Sequence, residues 1–254
     1  MRTDDVAEQT KQKKGGGLGE VVSVLVQAVL LALVIRTIFF QPFSIPSGSM
    51  RPTLLEGDYL FTSKFAYGYS RYSIPFAPNL FSGRIWGAEP ERGDVAVFKY
   101  PPNPNLDYIK RVIGLPGDRI QMIDGELHIN GEKVKRELAG TIDDFDITEE
   151  RGPVEVWRET LPNGVSYNTL DITKNGIGDN TREFVVPAGH FFMMGDNRDN
   201  STDSRFTVGF VPYDHFVGRA NIIFFSIAGG ASPVEIWRWP TELRLNRFFK
   251  SATR

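Results

Sequence analysis

Met122-Ile123-Asp124-Gly125-Glu126-Leu127, followed without a break by His128-Ile129-Asn130-Gly131-Glu132-Lys133, sets Asp-Gly and then Asn-Gly between strand-forming residues. Both dipeptides readily supply the positive φ angles of a two-residue hairpin turn. Together they predict a three-stranded antiparallel meander over about 119–135. The same reading extends outward. Asp94 to Tyr100 and Tyr108 to Ile113 are rich in Val and Ile and are separated by the turn-prone Pro101-Pro102-Asn103-Pro104. Phe184 to Val186, Phe191 to Met194 and Ile222 to Ser226 add short strands. Short strands punctuated by Gly and Pro predict a mainly β fold, a closed or partly closed antiparallel architecture. Between Arg136 and Arg182 the chain turns acidic, with Asn163-Gly164 and Asn175-Gly176 turns, and 136–183 reads as a peripheral insertion or subdomain.

Upstream of the β region the character changes. Lys11, Lys13 and Lys14 precede Gly15–Gly17, and Val21 to Phe40 is then almost wholly apolar. At ~1.5 Å per residue, roughly 20 helical residues cross a ~30 Å hydrocarbon layer. Ser23, Gln27, Arg36 and Thr37 interrupt the run, but Arg36 sits near its end, where it can reach the headgroups. A buried core helix and a cleavable leader are the alternatives. Phe39-Phe40-Gln41-Pro42-Phe43 lacks the small residues of a cleavage site, which favours an uncleaved anchor. Lysines ahead of the helix stay in the cytoplasm by the positive-inside rule. The expected organisation is therefore a cytoplasmic tail at 1–17, one transmembrane anchor at 18–40 and an extracytoplasmic domain at 41–254.

Composition excludes several chemistries. The chain has no cysteine, so disulfides, thiol catalysis and cysteine-based zinc sites are out. A formal net charge of -2 gives no reason to expect nucleic acid. His128, His190 and His215 show no metal-ligand spacing and read as ordinary surface or turn residues, and there is no G-x-S-x-G elbow. If the chain is a hydrolase, its base is not a histidine.

Three segments hold the candidates. Phe43-Ser44-Ile45-Pro46-Ser47-Gly48-Ser49-Met50-Arg51-Pro52-Thr53 brackets a glycine with hydroxyls between stiff prolines. One hydroxyl can attack a carbonyl while the other, or a backbone N–H, stabilises the oxyanion. A plain loop leaving the membrane has the same composition. Lys110 lies in Asp107-Tyr108-Ile109-Lys110-Arg111-Val112-Ile113-Gly114. A lysine drawn into apolar surroundings loses its proton more easily and can act as a base. A surface lysine is the commoner fate, and residue type alone does not choose Lys110 over Lys64 or Lys99. The third segment, Met193 to Arg205, is dense in turn formers and charge. A solvated loop, an Asp-rich calcium loop and a rigid polar network bracing a site are the readings, and the network makes the best use of so many partners. Arg198 and Arg205, and the missing terminal Glu, speak against calcium.

In this order the segments resemble the boxes of the bacterial type I signal peptidases, the leader peptidases. The matching stretches are Ile45-Pro46-Ser47-Gly48-Ser49-Met50, then Arg92-Gly93-Asp94 and Asp107-Tyr108-Ile109-Lys110-Arg111 through Gly114-Leu115-Pro116-Gly117-Asp118. The third is Gly195-Asp196-Asn197-Arg198-Asp199-Asn200-Ser201, continuing through Asp203-Ser204-Arg205 to Gly209-Phe210-Val211-Pro212. The resemblance covers about 41–135 and 184–226. It implies Ser49 as acyl-forming nucleophile and Lys110 as general base. It implies an oxyanion hole from the Ser47 hydroxyl and the Ser49 N–H, and a Ser201 hydroxyl that orients the Lys110 amine. Asp203 and Arg205 would brace that region as an ion pair, and Phe43, Ile45, Tyr108 and Ile109 would shape the substrate pockets. No cofactor or metal is implied.

The expected activity is removal of signal peptides from exported preproteins after small residues in an A-x-A pattern, at the bacterial inner membrane on the periplasmic face, near the export machinery. Such a peptide would add as a strand and turn alternate side chains into shallow pockets. Nine residues separate Phe40 from Ser49. At ~3.3–3.6 Å per residue the nucleophile stays within about 30 Å of the membrane. Aromatic residues from Phe76 to Trp86 are a candidate lipid contact, and covering the core is the equal alternative. The rival readings are a soluble self-cleaving repressor-type peptidase, and an inactive anchored β domain that binds exported chains.

Overall fold

The computed structural model describes residues 17–74, 77–79, 81–143, 145 and 152–253. Helix α1 (Leu18–Ile38) has no buried residue. Its 21 residues span roughly 31 Å at the α-helical rise. A long, uniformly apolar helix that buries nothing in its own protein requires another apolar medium, and a bilayer supplies one. The expected tail, with its three lysines, lies outside the described residues.

Fourteen strands follow among the described residues. They are β1 (Phe40–Ser44), β2 (Asp58–Ser63), β3 (Val95–Lys99), β4 (Asp107–Gly114), β5 (Arg119–Ile123), β6 (Glu126–Ile129) and β7 (Glu132–Lys133). Then come β8 (Lys135–Ile142), β9 (Val154–Thr160), β10 (Ser166–Leu170), β11 (Phe184–Val185), β12 (His190–Met194), β13 (Val211–Pro212) and β14 (Phe216–Ser226). A short helix, α2 (Trp239–Glu242), precedes the C-terminal segment.

The strands make a seven-stranded sheet, β1-β2-β14-β3-β4-β12-β13, a four-stranded sheet, β11-β5-β6-β7, and a three-stranded sheet, β10-β9-β8. Every pairing between named strands is antiparallel. The mainly β reading thus holds, and the meander is β5-β6-β7. Its two turns carry positive φ at Asp124 and Gly125, and again at Asn130 and Gly131, the mirror-turn geometry that hairpins require. Burial alternates along β5 and β6, so Ile120, Met122, Leu127 and Ile129 face one core with Ile113 and Phe192.

Three features exceed the expectation. The strand foreseen at Ile222 to Ser226 is the end of an eleven-residue β14, which bends through register shifts to pair with both β2 and β3. Segment 136–183 carries a sheet of its own, whose Leu161 and Tyr167 join the same core as the meander. The C-terminal segment returns to β14, with the Ala252 N–H on the Asn221 carbonyl and Ala252 fully buried beside Met50 and Leu54. Of the aromatic segment, Phe76 lies outside the described residues, Phe81 is half-buried and Trp86 is exposed.

Candidate active site

Ser49 sits in a 3-10 turn, Gly48–Met50, between β1 and β2. Met50 and Leu54 are fully buried on either side of Pro52 and anchor this segment in the core. Its far end is held by Asp58. That carboxylate accepts the Leu55 N–H at 2.8 Å, the Ser226 hydroxyl at 2.6 Å, and Arg247 through both Nε and Nη2. A hydroxyl on so fixed a turn keeps one position.

Lys110 projects from β4, opposite Ala96 of β3. Its side chain is buried, and Nζ lies 2.7 Å from Ser49 Oγ and 3.0 Å from the Ile109 carbonyl. Burial pushes its pKa down to about 8, while the carboxylates of Asp203 and Asp196 work in the other direction. The choice among three lysines is made by geometry. Lys99 pairs with Asp107 at 2.8 Å, and Lys64 is turned to the Ser73 carbonyl. Lys64 also has its pKa lowered to about 8. A depressed pKa therefore does not distinguish Lys110 from Lys64, whereas contact with a serine does.

Ser47 Oγ is 3.3 Å from Ser49 Oγ. Ser201 is buried against Gly195, at a point where a methyl group on Gly195 would also come within 2.5 Å of the Ser49 carbonyl oxygen. Ser201 therefore borders Ser49, beside Asp203. Its hydroxyl makes no hydrogen bond to Lys110 among the described residues, and the amine is held by Ser49 and the Ile109 carbonyl instead. Asp203 and Arg205 form a buried two-pronged pair, Nε to Oδ1 at 3.0 Å and Nη2 to Oδ2 at 2.9 Å. Asp203 also accepts the Gly195 N–H at 3.0 Å. Burial alone would raise its pKa, but the Arg205 guanidinium and the donated N–H hold it below the usual carboxylate range.

The pocket candidates divide. Phe43, Ile45 and Ile109 pack in one cluster with Met50 and Leu54, beneath the serine turn. Tyr108 lies on the other face of β4, stacked on Tyr100, with its ring 5.5 Å from Lys110 Nζ. Side chains alternate along a strand, so Tyr108 and Lys110 share one face and Ile109 takes the opposite one.

The polar network of the Met193–Arg205 segment reaches partners that sequence reasoning did not name. Arg111, fully buried, grips Asp196 through Nε at 2.8 Å and Nη2 at 2.6 Å. Asp196 in turn accepts the Thr53 hydroxyl at 2.5 Å. Arg198 pairs with Glu159 at 2.5 Å, and the Tyr167 hydroxyl donates to Glu159 at 2.8 Å. The backbone N–H of Asn197 reaches the Ser49 carbonyl at 3.2 Å, and its side-chain amide reaches the Gly48 carbonyl. The 193–205 loop thus grips the peptide of the serine itself. Arg198 and Arg205 among the acidic and amide residues of 195–205 hint at such bracing, but nothing local names Glu159 and Tyr167 as partners.

At the loop's outer end, Asp199 meets Asp171 and Asp179, their oxygens within 4.8 Å of one another. These carboxylates already serve neighbours. Asp199 takes the N–H groups of Ile172 and Thr173, Asp179 takes that of Gly176, and Asp171 pairs with Arg136. They act as turn braces.

One prediction concerns Gly195. Any side chain there would strike both Ser201 Oγ and the Ser49 carbonyl. Gly195→Ala is expected to lower the activity of this site by about a hundredfold, since displacements near 1 Å at reacting groups cost that much. Kinetics on the purified variant, with a melting curve to show that it folds, check this.

This mainly β chain holds a serine hydroxyl 2.7 Å from a buried lysine amine. The chain belongs to the signal peptidase family, peptidase S26, which it matches over residues 18–225. It is 40% identical to signal peptidase I of Rickettsia massiliae, over 99% of this chain and 98% of that protein. It is 43% identical to signal peptidase I of Rickettsia typhi, over 88% of this chain and 89% of that one. Among solved structures it resembles a signal peptidase I from Enterococcus faecalis, at 28% identity and a TM-score of 0.34, covering 52% of this chain and 97% of that one.

Proposed function

We propose that this signal peptidase cleaves preproteins after small residues by acylation of Ser49, with Lys110 as the base. The observation that carries the proposal is the 2.7 Å contact between Lys110 Nζ and Ser49 Oγ inside a buried site. The neutral amine takes the serine proton as Oγ attacks the scissile carbonyl. Negative charge on the carbonyl oxygen meets the Ser49 N–H and the Ser47 hydroxyl. The lysine ammonium then gives its proton to the leaving amine, and the mature protein departs. Lys110 next draws a proton from water, whose oxygen attacks the acyl group, and Ser49 Oγ leaves reprotonated.

The substrate has a place to lie. β1 is an edge strand leading into the serine turn, and β4 pairs with β12 only from Arg111 onward. Among the described residues the Asp107–Lys110 half of β4 thus lacks a strand on that side, so an extended peptide can pair there and present its scissile bond to Ser49. Its alternate small side chains would face Phe43, Ile45 and Ile109 on one side of the sheet, with Tyr108 on the other. Helix α1 spans the bacterial inner membrane once, 41–254 forms the domain on the outer side, and preproteins reach it as they leave the export machinery. An inactive binding domain would have no use for a desolvated lysine against a serine.

The test is processing of a signal-bearing preprotein by the full chain in liposomes, with the new N-terminus sequenced and the rate followed against pH. A pKa of about 8 leaves Lys110 mostly protonated at pH 7 and mostly neutral at pH 9. The rate is therefore expected to rise through pH 8, by about tenfold overall across that range. A flat profile, or cleavage after bulky residues, would count against this chemistry.

A further inference from the structure

Lys64 is a buried cation for which the dyad has no use. Its side chain is 2% exposed, and Nζ donates a 2.5 Å hydrogen bond to the Ser73 carbonyl. Burial, then the Arg36 guanidinium, lowers its pKa; Asp107 opposes this, and Lys99 adds to the repulsion. Cations gathered on one space raise each other's cost of staying charged, and an anion placed among them removes it.

That space exists. A cavity of about 280 Å3 is lined by Arg36, Gln41, Lys64, Lys99, Asn105 and Asp107. Its wall holds three cations against one carboxylate, and Asp107 is already taken by Lys99 at 2.8 Å. The side-chain amides of Gln41 and Asn105 bring further N–H donors, the type that phosphate oxygens accept.

Its depth points to the source of the anion. Arg36 is in the last turn of α1, and the Tyr69 hydroxyl ties the domain to the Ile38 carbonyl at 2.7 Å. Phe39, Phe40, Phe65 and Trp86 are exposed around the same exit, and the rings of Phe40 and Phe65 pack 5.5 Å apart. Aromatic side chains collect where hydrocarbon meets headgroups, and a span of about 20 residues ends there. The cavity therefore opens at the level of the lipid phosphates.

We infer that this cavity binds the phosphate of an anionic phospholipid in the outer leaflet, gripped by Arg36 and Lys64. The inference rests on the reading of α1 as membrane-spanning. A zwitterionic headgroup would bring its ammonium against the same cations, so the site selects lipids that carry no compensating charge. The bound lipid joins the end of α1 to the start of β4, and so sets how the domain that carries Lys110 stands on the bilayer.

The experiment uses the full chain, moved from mixed micelles of phosphatidylglycerol and phosphatidylcholine into neutral detergent, with retained lipid counted by native mass spectrometry. Wild type is expected to keep phosphatidylglycerol in preference. Arg36→Gln and Lys64→Gln are each expected to lower that preference about fivefold. Lys135→Gln, an exposed lysine on β8, is expected to leave it unchanged. Melting curves report folding, and Arg36→Gln, at the exposed mouth, carries the test if Lys64→Gln does not fold. Unchanged retention in Arg36→Gln, or an equal loss in Lys135→Gln, overturns the site in favour of diffuse surface charge. Displacement of the lipid by millimolar inorganic phosphate would identify a free-phosphate site and overturn the lipid assignment. Flotation of wild type with phosphatidylcholine liposomes tests the membrane span separately, so either failure is recognised for what it is.

Discussion

Lys110→Met is expected to slow preprotein cleavage by about a thousandfold or more, while the protein remains folded. Methionine matches the length of the lysine stem and keeps its apolar contacts with the β3–β4 surface, but it cannot take a proton. Lys110→Arg should fail equally, because a guanidinium stays protonated at any pH the protein survives. Ser49→Ala and the Ser49→Ala/Lys110→Met double variant should share the same residual rate, since groups that act as a unit do not lose activity additively. Stability moves the other way. The native state lowers the Lys110 pKa to about 8 from 10.5, so the unfolded chain binds more protons between these values. Stability due to this group is therefore gained as pH rises through that window and is withheld below it. At pH 7 the methionine variant is expected to melt at or above the wild-type temperature. Single-turnover kinetics and calorimetry on the purified variants check both halves. Activity within tenfold of wild type in Lys110→Met would remove the lysine from the chemistry.

The parts of this protein that were legible in sequence are those set by neighbours along the chain. Asp124-Gly125 and Asn130-Gly131 each dictate a turn within four residues, and the meander follows from them. The apolar run ending at Ile38 is equally local. β1 and β2 were not foreseen, because Pro42 and the Pro46–Pro52 loop mask two strands that pair only across the serine turn. The C-terminal return of Ala252 to β14 has no local signal either. Of the residues named from sequence at the site, Lys110 lies against Ser49, Ser47 is 3.3 Å from it, and Ser201 and Asp203 lie beside Gly195 with Arg205 paired to Asp203. The structure also shows what local reasoning had no means to supply: the amine's second partner is the Ile109 carbonyl rather than Ser201. Glu159 and Tyr167 come from the acidic segment to hold Arg198. That segment read as peripheral because its charges look solvated, yet Glu159 is 1% exposed and sits against the loop that carries Ser201.

Removing the Asp196 carboxylate is expected to destabilise the protein by about 3–5 kcal/mol, because Arg111 is left as a buried charge without a partner. For a chain of this size that corresponds to a fall in melting temperature of roughly 6–20 °C. The guanidinium cannot turn outward. It is fully buried, packed over the Tyr167 ring at 4.1 Å, and its Nη1 is committed to the carbonyls of Gly93 and Thr253. Asp196→Ala also strands the Thr53 hydroxyl and loosens the loop whose Asn197 holds the Ser49 carbonyl. Cleavage should therefore fall in this variant even at temperatures where it remains folded. Replacing both partners, as Arg111→Met/Asp196→Leu, should recover much of the lost stability, since an apolar pair of similar volume carries no desolvation cost. It should not recover activity, because the links from Arg111 to Gly93 and Thr253, and from Asp196 to Thr53, are then gone. Melting temperatures and cleavage rates across the two single variants and the double variant separate these effects. If Asp196→Ala melts within about 2 °C of wild type, the buried pair is not what holds the serine turn in place, and Asp58 with Arg247 must carry that role instead.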